Sequence, residues 1–272
     1  MQILVWPDVH HRVSLLQKVL ENHGDKFEKR IFLGDWFDQF NDRTEDAGRT
    51  AEFLIKLMED PRNIFLEGNH DTSYKYGNAV SYCSGFSFEK LRLINSILDR
   101  SHWDKFKLFH MEGNIILSHA GVHPYVFQHP VVGINKEQME KDCEVAMQAA
   151  RSNMKHPIYS AGISSGGTAR FGGINWLRWW ELAPIEGFDQ IVGHTTVAKP
   201  EVIYLRKKNR KKPDAPEEHW RFRTVRTQWD NYVELPPKRG VISMNYNIDT
   251  DNAYFIIIKD GVVDIKLTLD YL

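Results

Sequence analysis

Short apolar runs recur along the chain, and between them apolar positions fall at three- and four-residue spacing. Ile3 to Trp6 is one such run, and Val13, Leu15, Leu16, Val19 and Leu20 then mark a helical face. The pair repeats with Arg30 to Leu33, a helical pattern over Ala47 to Met58 through Phe53, Leu54, Leu57 and Met58, and a third run at Asn63 to Leu66. Strand, helix, strand, helix, strand predicts βαβ units, hence parallel strands with right-handed crossovers. Phe86 to Leu98 reads as another helix. Phe106 to Phe109 and Ile115 to Leu117 flank Glu112-Gly113-Asn114, which predicts a hairpin.

Beyond it, the pattern from Val131 to Tyr159 is helical and moderately polar, and the Gly-rich Ser160 to Gly173 predicts a loop. Trp176, Trp179 and Trp180 have the spacing of a core-facing helix stripe. Asp189 to Val192, Glu201 to Leu205 and Trp220 to Val225 are strand candidates, and Tyr254 to Ile258 with Val262 to Leu267 brackets an Asp260-Gly261 hairpin turn. No repeat or compositional break divides the chain, so a single domain over residues 1–272 is expected, with 206–240 as an inserted basic hairpin or loop.

Composition narrows the function classes. Over 272 residues, 42% hydrophobic content supports a packed core, which excludes global disorder. A formal net charge of −1 excludes a whole-protein field that would draw the chain to nucleic acid or membrane. The run Arg206 to Lys212 (RKKNRKK) lacks interleaved aromatics and reads as a solvated hairpin tip rather than a nucleic-acid patch. Cys83 and Cys143 have no CxxC spacing and suit reduced thiols. The opening MQILVWPDVHH has no signal-type apolar core, and no run is long enough to span a bilayer. A cytoplasmic protein without a membrane partner is expected.

Chemistry-bearing residues collect just after the apolar runs. Asp8 and His10 follow the first as D-V-H; Asp35 and Asp38 follow the second as G-D-W-F-D; Asn69, His70 and Asp71 follow the third as G-N-H-D. His119 follows the predicted hairpin as S-H-A-G, and His194 a later run as G-H-T-T. Carboxylate oxygen and imidazole nitrogen suit divalent metals, and the carboxyl edge of an open α/β sheet is where sites form.

In this order, D-V-H, G-D-x-x-D, G-N-H-D, S-H-A-G and G-H-T resemble the signature of the calcineurin-like metallophosphoesterases, from Asp8 to about Asp251. Within that superfamily the chain is most similar to the phosphoprotein phosphatases and their bacterial and phage relatives, including the symmetrical diadenosine tetraphosphatases. Three features carry this: G-H-T-T without a second His, N-W-L-R at Asn175 to Arg178, and N-I-D-T-D at Asn247 to Asp251. The resemblance implies a four-layer α/β sandwich of two mixed β-sheets flanked by helices. It implies two divalent ions, manganese first, with iron, zinc or cobalt admissible. Asp8, His10 and Asp35 would hold one; Asp35 would bridge to a second held by Asn69, His119 and His194. His70 would be the general acid, oriented by Asp38, and a water bridging the metals the nucleophile.

Departures concern the substrate. Where the family reads G-D-x-x-D-R-G, with an Arg that clamps phosphate, this chain has Gln39 after Asp38. Arg43, Arg170 and Arg178 are the candidate replacements, Arg178 foremost because its motif is matched. His11 and His123 read as structural, Trp36 and Phe37 as packing residues, and Ser164 to Gly173 as a mobile rim over the site. The expected activity is hydrolysis of phosphate monoesters, including those of a serine/threonine phosphoprotein. The alternatives are a diadenosine tetraphosphatase-like nucleotide hydrolase, a phosphodiesterase or nuclease, and an inactive binding scaffold.

Overall fold

The computed structural model describes residues 1–77, 80–127, 135–206, 219–223 and 241–272. Strand β1 (Gln2–Trp6) alternates its side chains across a sheet: Ile3 and Val5 face one side, Leu4 and Trp6 the other, and all four are fully buried. A strand buried on both faces belongs to the middle of a sandwich. The chain then runs through helix α1 (Val13–His23), β2 (Lys29–Phe32), α2 (Thr44–Met58), β3 (Asn63–Leu66), α3 (Asn69–Tyr76), α4 (Phe88–Ile97), the short α5 (Arg100–Trp103) and β4 (Phe106–Lys107). Strands β1 to β4 pair in parallel, as the βαβ pattern predicts. Near the C-terminus β11 (Tyr254–Lys259) and β12 (Val262–Leu267) form the expected hairpin, and β11 adds antiparallel to β1, giving the order β12-β11-β1-β2-β3-β4.

The second sheet has the order β5-β6-β7-β10-β8-β9. It comprises β5 (Phe109–Glu112), β6 (Ile115–Ser118), β7 (Asp189–Val192), β8 (Glu201–Arg206), β9 (His219–Arg223) and β10 (Val241–Asn247), with parallel and antiparallel pairs mixed. Ile3, Val5, Ile31 and Leu66 of the first sheet meet Ile115, Leu117, Tyr204 and Tyr246 of the second in one buried cluster. The outer face of the first sheet, with Trp6, Phe32 and Phe65, packs on Leu16 and Val19 of α1 and Leu54 of α2. The outer face of the second packs on Met139, Cys143 and Ala146 of α6 (Lys136–Arg151). Helices, sheet, sheet and helix make the four layers the resemblance implies.

Three expectations need correction. The hairpin partner of β6 is Phe109–Glu112, not Phe106–Phe109. Phe106 and Lys107 pair with Phe65 and Leu66 in the first sheet, and the chain changes sheets at buried Leu108, a break that no Gly, Pro or other turn residue marks. The helix after Val131 begins only at Lys136 and ends at Arg151, and Pro157–Tyr159 is a separate 3₁₀ turn; residues 131–134 lie outside the described set. The Trp176–Trp180 stretch is a series of turns, not a helix. Trp179 donates its backbone N–H to Thr195 Oγ1 instead of to a carbonyl four residues back, and Trp180 faces solvent while Trp176 and Trp179 are buried.

The pattern also missed β10, a central strand. Its Ser243, Asn245 and Asn247 look like a solvent face but are buried, with Ser243 Oγ donating to Phe188 O (2.7 Å) and Asn247 Nδ2 to Thr195 O (2.8 Å). Of the basic run, Lys207 to Lys212 lies outside the described residues, as does most of 206–240. No helix among the described residues is long and apolar enough to cross a membrane.

Candidate metal centre

Asp8 leaves β1, Asp35 leaves β2, Asn69 opens α3 after β3, His119 leaves β6 and His194 leaves β7. The carboxyl ends of parallel strands from both sheets thus deliver these side chains to one edge. The turns are sharp: His10 (φ 43°), Asp35 (49°), Asp38 (64°) and His194 (66°) all lie in the left-handed region that non-glycine residues rarely occupy. Such strain persists only where the surroundings enforce it. Here Asp71, fully buried, accepts the backbone N–H groups of Asp35 (2.9 Å), Trp36 (2.8 Å) and Gly68 (2.9 Å), clipping the β2 and β3 loops together. Glycine is obligatory beside the carboxylates. A Cβ at Gly68 would lie 2.0 Å from Asp35 Oδ1, and one at Gly193 1.9 Å from Asp8 Oδ1.

Two ligand groups result. Asp8, His10 and Asp35 offer atoms within 4.8 Å of one another, and so do Asp35, His119 and His194, with Asp35 common to both. Asn69 completes the second group: its Oδ1 lies 2.9 Å from His119 Nε2 and 2.8 Å from His194 Nδ1. Ligands about 2.1 Å from a shared cation sit about 3 Å apart, so this spacing suits a coordination shell. His10 and His119 each direct Nδ1–H to a backbone carbonyl, of Asp38 (2.6 Å) and Leu33 (3.0 Å), which presents Nε2 to the site. Asp8 Oδ1 and His194 Nε2 are buried with no hydrogen-bond partner. Orphaned buried acceptors beside a carboxylate shared by two His groups fit a pair of divalent cations.

The crowded charges of the cluster shift one another's titration. Burial and the neighbouring Asp249 push the Asp8 carboxyl well above its ordinary value. Burial opposes charge on His119, but Asp35 and Asp8 prevail and raise its imidazole to about 10. Burial also works against Asp35, yet His119, His70 and His10 hold its carboxyl low.

Next to the shared carboxylate stands an acid–base pair. His70 donates its backbone N–H to Asp35 Oδ1 (2.9 Å), and its Nδ1–H faces Asp38 Oδ2 (3.0 Å). Burial opposes charge on the His70 imidazole, but Asp35 and the Asp38 hydrogen bond outweigh it and its pKa is raised. Its ring meets that of His10 edge-on at 5.2 Å. The family model for calcineurin-like phosphoesterases matches residues 1–198. The chain belongs to that family. It is therefore a phosphoesterase, and divalent metals are the family's cofactors.

No curated protein matches the chain. Among solved structures, a cold-active protein tyrosine phosphatase is 12% identical, with 100% of this chain and 77% of that one covered, at a TM-score of 0.57. Another structure of such an enzyme, from a psychrophilic Shewanella species, is 11% identical over 100% and 78%, at 0.52. At that identity the likeness carries the fold of the phosphoesterase and nothing finer.

The residues expected on the substrate side lie in varied surroundings. Gln39 is exposed and its N–H donates to Asp42 Oδ2 (3.2 Å) within the turn. Arg178 is half-buried; its Nε donates to Ser165 Oγ (2.9 Å), its guanidinium sits 5.9 Å over the Trp180 ring, and its charge helps depress the His194 imidazole, after burial and His119. Arg170 is exposed and stacks over Phe171 (5.2 Å) and Tyr125 (5.5 Å). Arg43 is exposed at the start of α2, where its backbone binds Asp46, and no described contact brings it to the ligands. His11 bonds Thr50 and Asp42, His123 stacks on Phe171 at 4.1 Å, and Trp36 and Phe37 are core residues. The Gly-rich loop folds closely on its own backbone, with Gly167 N–H on Gly162 O (2.9 Å) and Gly173 N–H on Ser160 O (2.9 Å).

Residues that the sequence reading gave no role also converge. Asn252 takes the Trp6 Nε1–H on its Oδ1 (2.6 Å) and donates to the backbone carbonyl of Asp8 (2.8 Å), anchoring the Asp8 backbone. Tyr74 and Lys90 both donate to Asp38 Oδ1. Asp71 was visible as the last letter of G-N-H-D; Tyr74, Lys90 and Asn252 carried no local signal.

Proposed function

We propose that the protein hydrolyses phosphate monoesters at a dinuclear metal centre, with His70 as the general acid. Asp8, His10 and Asp35 would hold one cation, and Asp35, Asn69, His119 and His194 the other. Such cations supply Lewis-acid activation of water and neutralise phosphoryl charge. The observation that carries the reading is the His70–Asp38 contact at 3.0 Å beside Asp35. With Nδ1–H committed to Asp38, Nε2 is the atom that delivers a proton to the leaving oxygen, and the nearby carboxylates raise the imidazole above its ordinary value against the effect of burial. Asp35 orients the same residue through its backbone, so acid and ligands share one frame.

A monoester is favoured over a diester on charge. Arg178 adds a fixed cation felt at His194, which suits the additional negative charge of a monoester. G-N-H-D does not argue for a dinucleotide, because Asp71 is consumed in holding three backbone N–H groups. Manganese is the first metal to supply, and a serine/threonine phosphoprotein the first biological substrate class to try.

The decisive assay compares p-nitrophenyl phosphate with its bis-ester in the presence of manganese, alongside ADP release from diadenosine tetraphosphate. Monoester turnover that His70→Asn removes for poor leaving groups, with metal content retained, is the expected result. Preferred bis-ester cleavage, or ADP release alone, would replace the monoesterase reading; no hydrolysis with any metal would leave a binding scaffold.

A further inference from the structure

Lys90 is a lysine with almost no access to water, and all of its donors are spent in one place. Its Nζ reaches Asp38 Oδ1 (3.1 Å), both Asp42 oxygens (2.7 Å each) and Gly85 O (2.8 Å), with 6% of its side chain exposed. Burying an ammonium is costly, and an apolar side chain of similar volume would serve the core at least as well. Packing therefore gives no reason for a lysine at the first turn of α4. The segment is shaped to admit it: Gly85 (φ 92°) passes so close that a Cβ there would lie 2.9 Å from Asp38 Cβ. Tyr74 approaches from α3, its hydroxyl donating to the same Asp38 Oδ1 at 2.5 Å.

We propose that Lys90 and Tyr74 are positioning residues for the general acid, an inference that rests on the proposed role of His70. Two donors on Oδ1 leave Oδ2 as the acceptor for His70 Nδ1–H. A carboxylate's last torsion is otherwise broad and nearly two-fold, so an unpinned Asp38 would let the imidazole swing. Asp42 extends the clamp outward: its Oδ2 also meets His11 Nε2 (2.9 Å), which faces the Asp38 backbone N–H (3.0 Å), and His11 Nδ1 meets Thr50 Oγ1 (2.8 Å) on α2. Helices α2, α3 and α4 thereby all bear on the direction of one proton. Neither Lys90 nor Tyr74 touches substrate; each acts through Asp38 and then His70.

A misdirected acid matters only where the leaving group needs a proton. The test uses the full chain with manganese on p-nitrophenyl phosphate, a good leaving group, and phenyl phosphate, a poor one. Lys90→Met should lower kcat on phenyl phosphate about tenfold or more, and on p-nitrophenyl phosphate less than about threefold, since general-acid catalysis contributes roughly 10²–10⁴ in all. Tyr74→Phe should act in the same direction by about threefold on phenyl phosphate. In a His70→Asn background neither change should cost more than about twofold, because the path to the substrate is already cut. Equal losses on both substrates, losses that multiply with His70→Asn, or an unaltered Tyr74→Phe overturn the inference. Should Lys90→Met fail to fold by circular dichroism, Tyr74→Phe decides alone. A wild-type protein without metal-dependent hydrolysis would sink the functional reading as well; hydrolysis with additive losses would sink only the positioning.

Discussion

Gly193→Ala isolates one carboxylate. At Gly193 the backbone is open to any residue, and the atoms a new Cβ would meet all belong to Asp8: Oδ1 at 1.9 Å, Cγ at 3.1 Å and Oδ2 at 3.5 Å. Ordinary contact begins at 3.4 Å, so Oδ1 must retreat by the difference, about 1.5 Å. Metal sites tolerate ligand displacements of about 0.2 Å, so a shift several times larger removes Asp8 from a cation while leaving Asn69 and His119 in place. Asp8 also gives up some of its bond to the His194 N–H (2.9 Å), worth about 1 kcal/mol, which the fold survives.

A cation acting on phosphoryl charge supplies several kcal/mol, and each 1.4 kcal/mol is a decade, so turnover should fall by roughly two to three decades. Elemental analysis after manganese loading and gel filtration should show two ions per chain in the wild type and one in the variant. Circular dichroism should show an intact fold. A Gly193→Ala protein with two ions and wild-type turnover would refute the assignment of Asp8 as a ligand. Loss of both ions would mean that the two groups do not load independently.

Other outcomes follow from the same geometry. His119 is protonated below about pH 10 in the metal-free protein and must be neutral to bind a cation, so binding expels a proton and tightens as pH rises. Calorimetric titration with manganese should show about tenfold stronger affinity per pH unit between about pH 6.5 and 8.5, and a flat profile would contradict that His119 is a ligand. Asn252→Ala strips partners from Trp6 Nε1 and the Asp8 carbonyl at a left-handed position (φ 61°); denaturant unfolding should register a loss of about 2–4 kcal/mol, against the half kcal/mol of a surface change. Arg178→Ala should raise KM for monoesters about tenfold or more with metal content unaltered, and Arg178→Lys should restore little of it, whereas an equal KM in all three proteins removes Arg178 from the substrate side. Arg43→Ala, far from the ligands in its contacts, should change KM by less than about twofold.

What was legible in the sequence follows a physical rule. The βαβ half could be read because β1, β2 and β3 are buried on both faces and separated by helices with clear apolar stripes, so period and run length agree. The same rule explains the misses. Strand β10 presents Ser243, Asn245 and Asn247 to a covered surface, and the burial of Ser243 and Asn247 is permitted by partners, Phe188 O and Thr195 O, that no local window contains. The sheet change at Leu108 falls between Phe106 and Phe109 with no turn residue, so the local pattern has nothing to mark it. The candidate ligands stood out in the sequence because they cluster at strand ends, Asp35, Asn69 and His194 each directly after a glycine, a pattern written within a few residues. Lys90, 52 residues from Asp38, and Asn252, 244 from Asp8, meet their partners only through the fold.

The site's two halves are kept in register by how the loops share them. The turn after β2 gives Asp35 to the ligand groups and Asp38 to the acid pair; the turn after β3 gives Asn69 to the ligands and His70 to the acid pair. Each loop therefore holds one residue of each half, three apart or adjacent, and neither half can shift without dragging the other. Asp71 joins the loops by three N–H bonds, and the His70 N–H on Asp35 Oδ1 crosses between them. The cost is visible in the left-handed backbone of Asp35 and Asp38 and in a buried carboxylate at Asp71, which burial and Asp35 raise to about 7 while its N–H donors pull it back. Cations that draw on the charge of Asp35 relieve the repulsion on Asp71, so metal loading should tighten the clip between the loops and with it the aim of His70. Phosphate transfer needs the attacking water and the proton donor on opposite sides of phosphorus. In the proposed mechanism, a frame that fixes their separation independently of the substrate is what the sharing of these two loops would provide.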